Sequence, residues 1–507
     1  MSFCAAGDSA FGRWQNKPTA SKHPVVPLER VDHIVTERLD REAVRLEDEV
    51  RERRGGPYRF AMPRKVLITP WTDGTWEDID DETQLWRLHV TTPNAVSINL
   101  GFGRYYMPRG GKMFIYAVDG AHVLGPFTED DNKKHGQLWT PLILSDDIVV
   151  EVTIGASEAE QLELELTSIN HGYRGFRADS KWDKAGGGSG WCNVNVICPE
   201  GDDWRDQIRS VALYTFASPY GGFQCTGVLV NNTNEDDTPY FLTAFHCFDR
   251  NENGVLDDPD PETLAASMII YWNYQASTCG DPYGSMGQSQ SGAIFRAAYE
   301  DSDFLLVELD DEPSMVFDVY YAGWDRSDTA PPSGVGIHHP NWDVKKISFE
   351  DDPLSITTYL KNPSPGDGTH LKIDDWDLGT TEGGSSGSPI FNPNKQVVGL
   401  LHGGWASCTN DREDWYGRFY RSWTGGGTAS TRLSDWLDPN GIGAMSLDGR
   451  DSGRDIDDLV FFAPHWLETD CNDIAGDETD WCFGTDFTKD HRVDLWDFAD
   501  FVVRWLQ

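Results

Sequence analysis

Between residues 60 and 438 the apolar residues come in runs of strand length and no longer. KVLITPW, AVSINLGFG, KMFIYAVDG, DIVVEVTIG and QLELELTSIN fill residues 60 to 178, and YFLTAFHC, MIIYWNY, DFLLVEL and QVVGLLHGG fall between 192 and 438. Gly, Pro, Asp and Asn separate them, the punctuation of short strands joined by turns. The pattern predicts a mainly β chain, the first stretch a β-sandwich and the second an all-β barrel or sandwich. Between them DSKWDKAGGGSGW, residues 179–191, is a glycine-rich linker that a protease could enter, and a domain boundary is expected there. No run approaches the roughly 20 apolar residues of a membrane-spanning helix. The whole chain of 507 residues has room for about three domains.

The ends read differently. Residues 24–56, with VDHIVTERLDREAVRLEDEVRERR and a Gly-Gly stop at 55 and 56, are expected to form one exposed amphipathic helix. The last sixty residues carry two similar stretches, DIDDLVFFAPHWL from 455 and DLWDFADFVVRWL from 494, each an Asp-rich approach to a helix ending in Trp-Leu.

Asp and Glu number 83 against 42 for Lys and Arg, a net charge of −41 that repels nucleic-acid phosphates. Nine cysteines are present: six (192, 198, 225, 247, 279, 408) fall in one region like a disulfide framework, Cys471 and Cys482 form a separate pair, and Cys4 is left over. Such use points to an oxidising compartment, so a secreted or cell-surface protein is expected. The first thirty residues show no basic start followed by an apolar run, and no signal peptide is visible there. A mis-assigned start or a trimmed chain would reconcile the two.

Amide hydrolysis by a serine needs an imidazole to activate the hydroxyl, a carboxylate to orient the imidazole, and N–H groups aimed at the oxyanion. His246 stands in TAFHC at a strand end, Asp303 in DSDFLLVEL opens another strand, and Ser386 lies in the tight loop EGGSSGSP. Ser386 is expected to attack, His246 to shuttle the proton and Asp303 to hold the imidazole, with the N–H groups of Gly384 and Ser386 forming the oxyanion hole. No cofactor is expected for catalysis.

With CNVNVICPEGDDWRDQIRSV, CTGVLVNN, YFLTAFHC, YWNYQASTC, SDFLLVEL, AGWDR, IHHPN, GSSGSPI, HGG and RSWTGGG through RLSDWLDP, residues 190 to 445 resemble the bacterial lysyl endopeptidases. The resemblance implies a trypsin-like double β-barrel and the pairs Cys192–Cys408, Cys198–Cys279 and Cys225–Cys247. It also implies that Asp414, in REDWYGR, is the carboxylate at the base of the P1 pocket, with His402, Gly403 and Gly404 forming a pocket wall and His402 near the catalytic imidazole. A buried acid there favours cationic side chains, so the expected substrates are proteins or peptides cut after Lys, with Arg left open. The family's stacking tryptophan has no clear match, and Tyr359 or a neighbour takes its place.

Residues 60–178 resemble the β-rich segments preceding the catalytic unit in related precursors, which implies a removable pro-domain; Lys184 lies just upstream of Cys192, so a Lys-specific enzyme is expected to cut the Lys184–Ala185 bond itself. The alternative is a permanent partner domain with an uncut linker. The expected domains are a helical pro-segment (1–59), a β-sandwich pro-domain (60–184), the protease (185–445) and a C-terminal module (446–507).

Two acidic loops follow calcium-loop spacing. Asp249, Asn251, Asn253, Asp257 and Asp260 place oxygens at positions 1, 3, 5, 9 and 12 around Gly254, although Pro259 and Pro261 oppose an exiting helix; a solvated Asn-Gly turn is the alternative. Asp486, Thr488, Asp490, Asp494 and Asp497 repeat the spacing, with His491 in place of the glycine. This stretch resembles a dockerin repeat, implying a cohesin-like or cell-surface partner and closure by Cys471 and Cys482; a plain helical hairpin is the alternative. The competing view of the whole chain is a catalytically silent, protease-like adhesion or scaffold protein tethered by these repeats.

Overall fold

The structure, a computed structural model, describes residues 17–52, 56–175, 188–251, 253–453, 459, 462–469, 471, 485–487 and 491–505. Two compact units result, Met1–Glu47 with Phe60–Gly175 and Ala217–Gly222, and Asp48–Arg59 with Phe176–Phe216 and Phe223–Gln507.

The first unit is two facing sheets. In one, the three-residue strand His33–Val35 lies parallel to Thr83–Thr91, followed in order by Asp147–Gly155, Lys112–Ala117 and Val123–Phe127. In the other, Tyr58–Ile68 pairs with Glu163–Gly172, which pairs with Ser97–Tyr106. Leu88, Val90, Ile115, Val150 and Val152 of the first meet Ile98, Leu100, Phe102, Leu164 and Ile169 of the second in one buried core. Period-2 alternation puts these residues on the inner faces.

The long N-terminal helix expected over 24–56 does not form as one element. The chain makes a turn at Leu28–Arg30, the strand His33–Val35, and only then a helix at Arg41–Glu52. Ile34, Val35 and Thr36 are a β-branched run, stiff at χ1, that fits a sheet edge better than a helix. Asp40 starts the helix, accepting the N–H of Ala43 at 3.1 Å. Nor is the helix wholly exposed, because Val44 and Asp48 are buried and Asp48 pairs with Arg59 at 2.8 Å.

The second unit is also mainly β. One sheet runs Ser289–Ser291, Ile269–Tyr271, Val211–Ser218, Gly221–Leu229, Tyr240–Thr243, Phe304–Leu309 and Ala293–Tyr299. A second runs Val194–Asn195, Lys346–Glu350, Gly334–His338, Pro389–Phe391, Val397–Gly404, Asp414–Arg418, His370–Ile373 and Ser355–Thr357. Val228, Leu242 and Leu306 from one pack with Ile337, Ile347 and Leu400 from the other. All three disulfides implied for this region are present, Cys192–Cys408, Cys198–Cys279 and Cys225–Cys247.

Pro259 and Pro261 do not block a helix after the first acidic loop. Pro261 takes the first position of the helix Pro261–Ala266, where its missing N–H costs nothing, and Asp260 caps it by accepting the Thr263 N–H at 2.9 Å. Toward the C-terminus, Ser446–Leu447 pairs with Trp324–Asp325 and Arg450–Asp451 with Tyr320–Tyr321. The second Asp-rich repeat leads into the helix Leu495–Trp505; in the first, the described residues include helical Leu459 and Phe462 and the turn Ala463–His465 around Pro464.

Candidate active site

His246 sits on the turn Phe245–Cys247 that ends the strand Tyr240–Thr243, and Asp303 immediately precedes the strand Phe304–Leu309, to which Tyr240–Thr243 pairs. Sheet pairing therefore delivers both residues to the same end. Asp303 is held at φ +49°, and its carbonyl accepts the Phe245 N–H at 3.1 Å. Its carboxylate grips His246 twice: Oδ1 accepts the backbone N–H at 2.9 Å and Oδ2 lies 2.8 Å from Nδ1. An ionised carboxylate only accepts, so Nδ1 carries the proton and Nε2 is left as the basic nitrogen. Nε2 is buried and has no hydrogen-bond partner. Burial pushes the Asp303 carboxyl up and the adjacent His246 ring opposes that shift.

Ser386 is placed by its backbone. Its carbonyl accepts the Thr226 N–H at 2.9 Å, one residue from Cys225, which is bridged to Cys247 beside His246. Gly387 packs so tightly that an added Cβ would lie 2.1 Å from Thr243 Oγ1 and 2.8 Å from the Ala244 N, on the approach to His246. The loop also fixes its own peptide planes. The Gly383 carbonyl accepts the Asn341 N–H at 2.7 Å and the Ser385 carbonyl accepts the Ser388 N–H at 3.0 Å. In trans peptides the N–H opposes the carbonyl, so the Gly384 and Ser386 N–H groups face away from these anchors.

EGGSSGSP contains three serines, and their surroundings separate them. Ser385 and Ser388 are fully buried, while Ser386 is half-buried. Ser385 Oγ is engaged by His338 Nδ1 at 2.7 Å, and burial, with Lys346 nearby, holds that imidazole down to about 3. The Ser385–His338 pair is thus a closed core contact.

A column of rings backs the His246 imidazole. His402 stacks on it with centroids 5.3 Å apart, and Tyr359 stacks on His402 at 3.5 Å and 5° between planes. Tyr359 is therefore the residue in the stacking position. His370, which the sequence did not single out, lies 2.9 Å through Nε2 from His402 Nδ1 and 2.8 Å through Nδ1 from Thr369 Oγ1. Burial, reinforced by His246 and His370, holds His402 well below the ordinary histidine range. His402 Nδ1 stands 3.6 Å from Asp303 Oδ2, so a neutral His402 leaves the carboxylate's charge to His246.

Asp414 is 1% exposed and opens the strand Asp414–Arg418. Its Oδ2 accepts from Trp376 Nε1 at 2.8 Å and Thr381 Oγ1 at 2.7 Å, while Oδ1 has only the Ala406 N–H at 3.4 Å. Burial raises this carboxyl, and the Trp376, Thr381 and Ala406 donors oppose the rise. Gly404 is its cross-strand partner, and an added Cβ there would lie 2.1 Å from Asp414 Oδ1. Three residues on, Gly417 admits the Ser302 carbonyl to 1.9 Å from where its Cβ would be, which seats the Asp303 turn on the same strand. Gly403, at φ +147°, lies in the bulge between Leu401 and Gly403 where this strand pair shifts register.

In the first acidic loop Asp249 accepts the N–H groups of Asn253 and Gly254 at 3.2 and 2.8 Å, and the amides of Asn251 and Asn253 turn toward Asp257 Oδ1. In the second, His491 adopts φ +71°, the conformation expected of glycine there, and its N–H donates to Asp486. Thr488, Asp490, Cys482, Lys184 and Ala185 lie outside the described residues.

Comparison with known proteins places the chain in a family. The family model described as the lysyl endopeptidase C-terminal domain matches residues 186–417. A lysyl endopeptidase of Pseudomonas aeruginosa is 30% identical over 395 residues, covering 72% of this chain and 79% of that protein. The chain belongs to the lysyl endopeptidase family. As a lysyl endopeptidase relative it is a serine endopeptidase, and its substrates are peptides. Among solved structures, the protease Anisep of Arthrobacter nicotinovorans overlaps 45% of this chain and 93% of its own, with 16% identity and a TM-score of 0.30. A Glu endopeptidase overlaps 42% of this chain and 85% of its own, with 17% identity and a TM-score of 0.26. The three disulfides fit an oxidising, extracellular setting, and among the described residues no helix is long and apolar enough to cross a membrane.

Proposed function

We propose that this protein cleaves peptide bonds after lysine through Ser386, His246 and Asp303, as a secreted enzyme made in precursor form. The observation that carries the reading is the doubly hydrogen-bonded His246–Asp303 pair, which leaves Nε2 without a hydrogen-bond partner, while the loop of Ser386 packs through Gly387 against Thr243 and Ala244, on the chain leading to His246. Ser386 Oγ attacks the scissile carbonyl as Nε2 takes its proton, the N–H groups of Gly384 and Ser386 receive the oxyanion, and His246 returns the proton to the leaving amine. Water then hydrolyses the acyl-enzyme by the same base.

Asp414 supports lysine over arginine. Both donors from Trp376 and Thr381 fall on Oδ2, so Oδ1, whose one contact is the long Ala406 N–H at 3.4 Å, remains for a substrate cation. A single oxygen suits the ammonium point charge, whereas guanidinium recognition gains most from both carboxylate oxygens. Lys184–Ala185 is then a bond the enzyme itself can cut, freeing the catalytic unit from residues 60–184. Calcium would be held at Asp249, Asn251, Asn253 and Asp257, with Asp260 closing the loop, and at Asp486, Thr488, Asp490, Asp494 and Asp497 in a C-terminal module that docks to a cohesin-like or surface partner.

The test is to incubate purified precursor with a denatured protein of known sequence and identify all new termini by mass spectrometry. Cuts after Lys and a new terminus at Ala185 are expected. A correctly oxidised sample that neither cuts nor reacts with a fluorophosphonate, while behaving like Ser386→Ala, would move the assignment to a silent scaffold.

A further inference from the structure

A second cluster of metal-ligating side chains lies in the first compact unit, separate from the catalytic residues. His33, His89 and Asp147 each offer one ligand atom, all within 4.8 Å of one another. Strand register builds the cluster. His33 stands directly opposite His89 in the parallel pair, and Asp147 stands opposite Thr91, two residues along on the same face as His89. The two imidazoles stack at 3.8 Å with 8° between planes. Their remaining contacts converge on one corner: His89 Nε2 lies 2.7 Å from Asp147 Oδ1, His33 Nε2 lies 2.7 Å from Thr91 Oγ1, and Thr91 Oγ1 donates to the same Asp147 oxygen at 2.5 Å.

We propose that His33, His89 and Asp147 form a surface site for a borderline divalent cation, with zinc the best match. Two imidazole nitrogens and one carboxylate oxygen are a zinc donor set, and three protein ligands leave a fourth position for water. Zn–N and Zn–O distances of about 2.0–2.2 Å require the stacked rings to splay about their side-chain torsions while the backbone stays put. The surface allows this, since His33 is exposed and the other two are half-buried. The consequence is mechanical. His33–Val35 is a three-residue strand at the edge of its sheet, and the ion would clip it to the next two strands, Thr83–Thr91 and Asp147–Gly155. This assignment does not rest on the proteolytic reading.

The full chain carrying Ser386→Ala, which keeps both units in one polypeptide, is stripped with a chelator, equilibrated with micromolar zinc and analysed for bound metal. The catalytic cluster of His246, Asp303 and His402 is a second grouping with ligand geometry, so His402→Gln is run in parallel with His33→Gln and Asp147→Asn. The expected result is one zinc retained by the parent and by His402→Gln, and at least a tenfold weaker affinity in both His33→Gln and Asp147→Asn, each with an unchanged thermal melt in the stripped, metal-free state. Cobalt in place of zinc should give a visible absorption band that His33→Gln removes, and zinc should slow amide exchange over residues 33–35. Zinc retained equally by His33→Gln and Asp147→Asn, zinc lost only in His402→Gln, or no zinc retained at all would each overturn the assignment.

Discussion

Ser385 and Ser386 are chemically identical neighbours with opposite fates, because one hydroxyl points into a buried histidine and the other stays half-exposed in the loop. Ser386→Ala is predicted to lower kcat by about 10⁶, the usual loss when a serine nucleophile goes. Ser385→Ala should keep kcat within a few-fold and lower stability by about 1 kcal/mol for the lost hydrogen bond. Active-site titration and thermal melts of the two variants separate these outcomes, and equal loss of activity would undo the assignment. Asp414→Asn keeps an acceptor for Trp376 and Thr381 but removes the charge, so kcat/KM for lysyl substrates should fall by about 10²–10³ with the fold retained. Neutral-P1 substrates, assayed in parallel, should lose far less. The His246–Asp303 pair is legible in the sequence because each residue sits in a short motif at a strand end. His370, Trp376 and Thr381 are not, because their roles come from strands and loops distant in sequence that only folding brings to His402 and Asp414.

Among the elements, the strand runs quoted from the sequence all become strands, because Gly and Pro punctuation and β-branched content agree there. The expected N-terminal helix gives way where they conflict: helical spacing spans DHIVT, yet the β-branched Ile34 and Val35 join a sheet edge that the sequence alone does not reveal. The strand Lys346–Glu350 carries a further consequence. Burial, with Asp375 and Asp377 nearby, pushes the Glu350 carboxyl up to about 7. The folded chain therefore keeps a proton that the unfolded chain loses above its ordinary range near 4.5, and this residue's stability contribution is lost as pH rises from about 4.5 to 7. Glu350→Gln should match the parent near pH 4 and melt about 2–4 °C higher at pH 7.5, read from thermal melts across that range. A constant difference at every pH would argue against it.

At the scale of the whole molecule the net charge of −41 repels itself. Raising NaCl from 20 to 500 mM shortens the Debye length from roughly 20 Å to roughly 4 Å, so the melting temperature is predicted to rise by several degrees. The same salt series should lower kcat/KM for strongly basic peptides by about tenfold, through loss of long-range attraction, and leave neutral-flanked lysyl peptides nearly unchanged. A salt-independent ratio between the two substrates would show that the field does not steer.

The strand Asp414–Arg418 carries Asp414 at its first position and, at Gly417, the seat for the turn that holds Asp303. One ruler thus sets both the acid proposed to choose the substrate and the acid that aims the base. A slip of that ruler by one residue would turn every side chain to the opposite face and put a side chain where the Ser302 carbonyl must fit. Recognition and chemistry would fail together, so misfolded molecules of this protease should be inert toward all peptides and never merely indiscriminate.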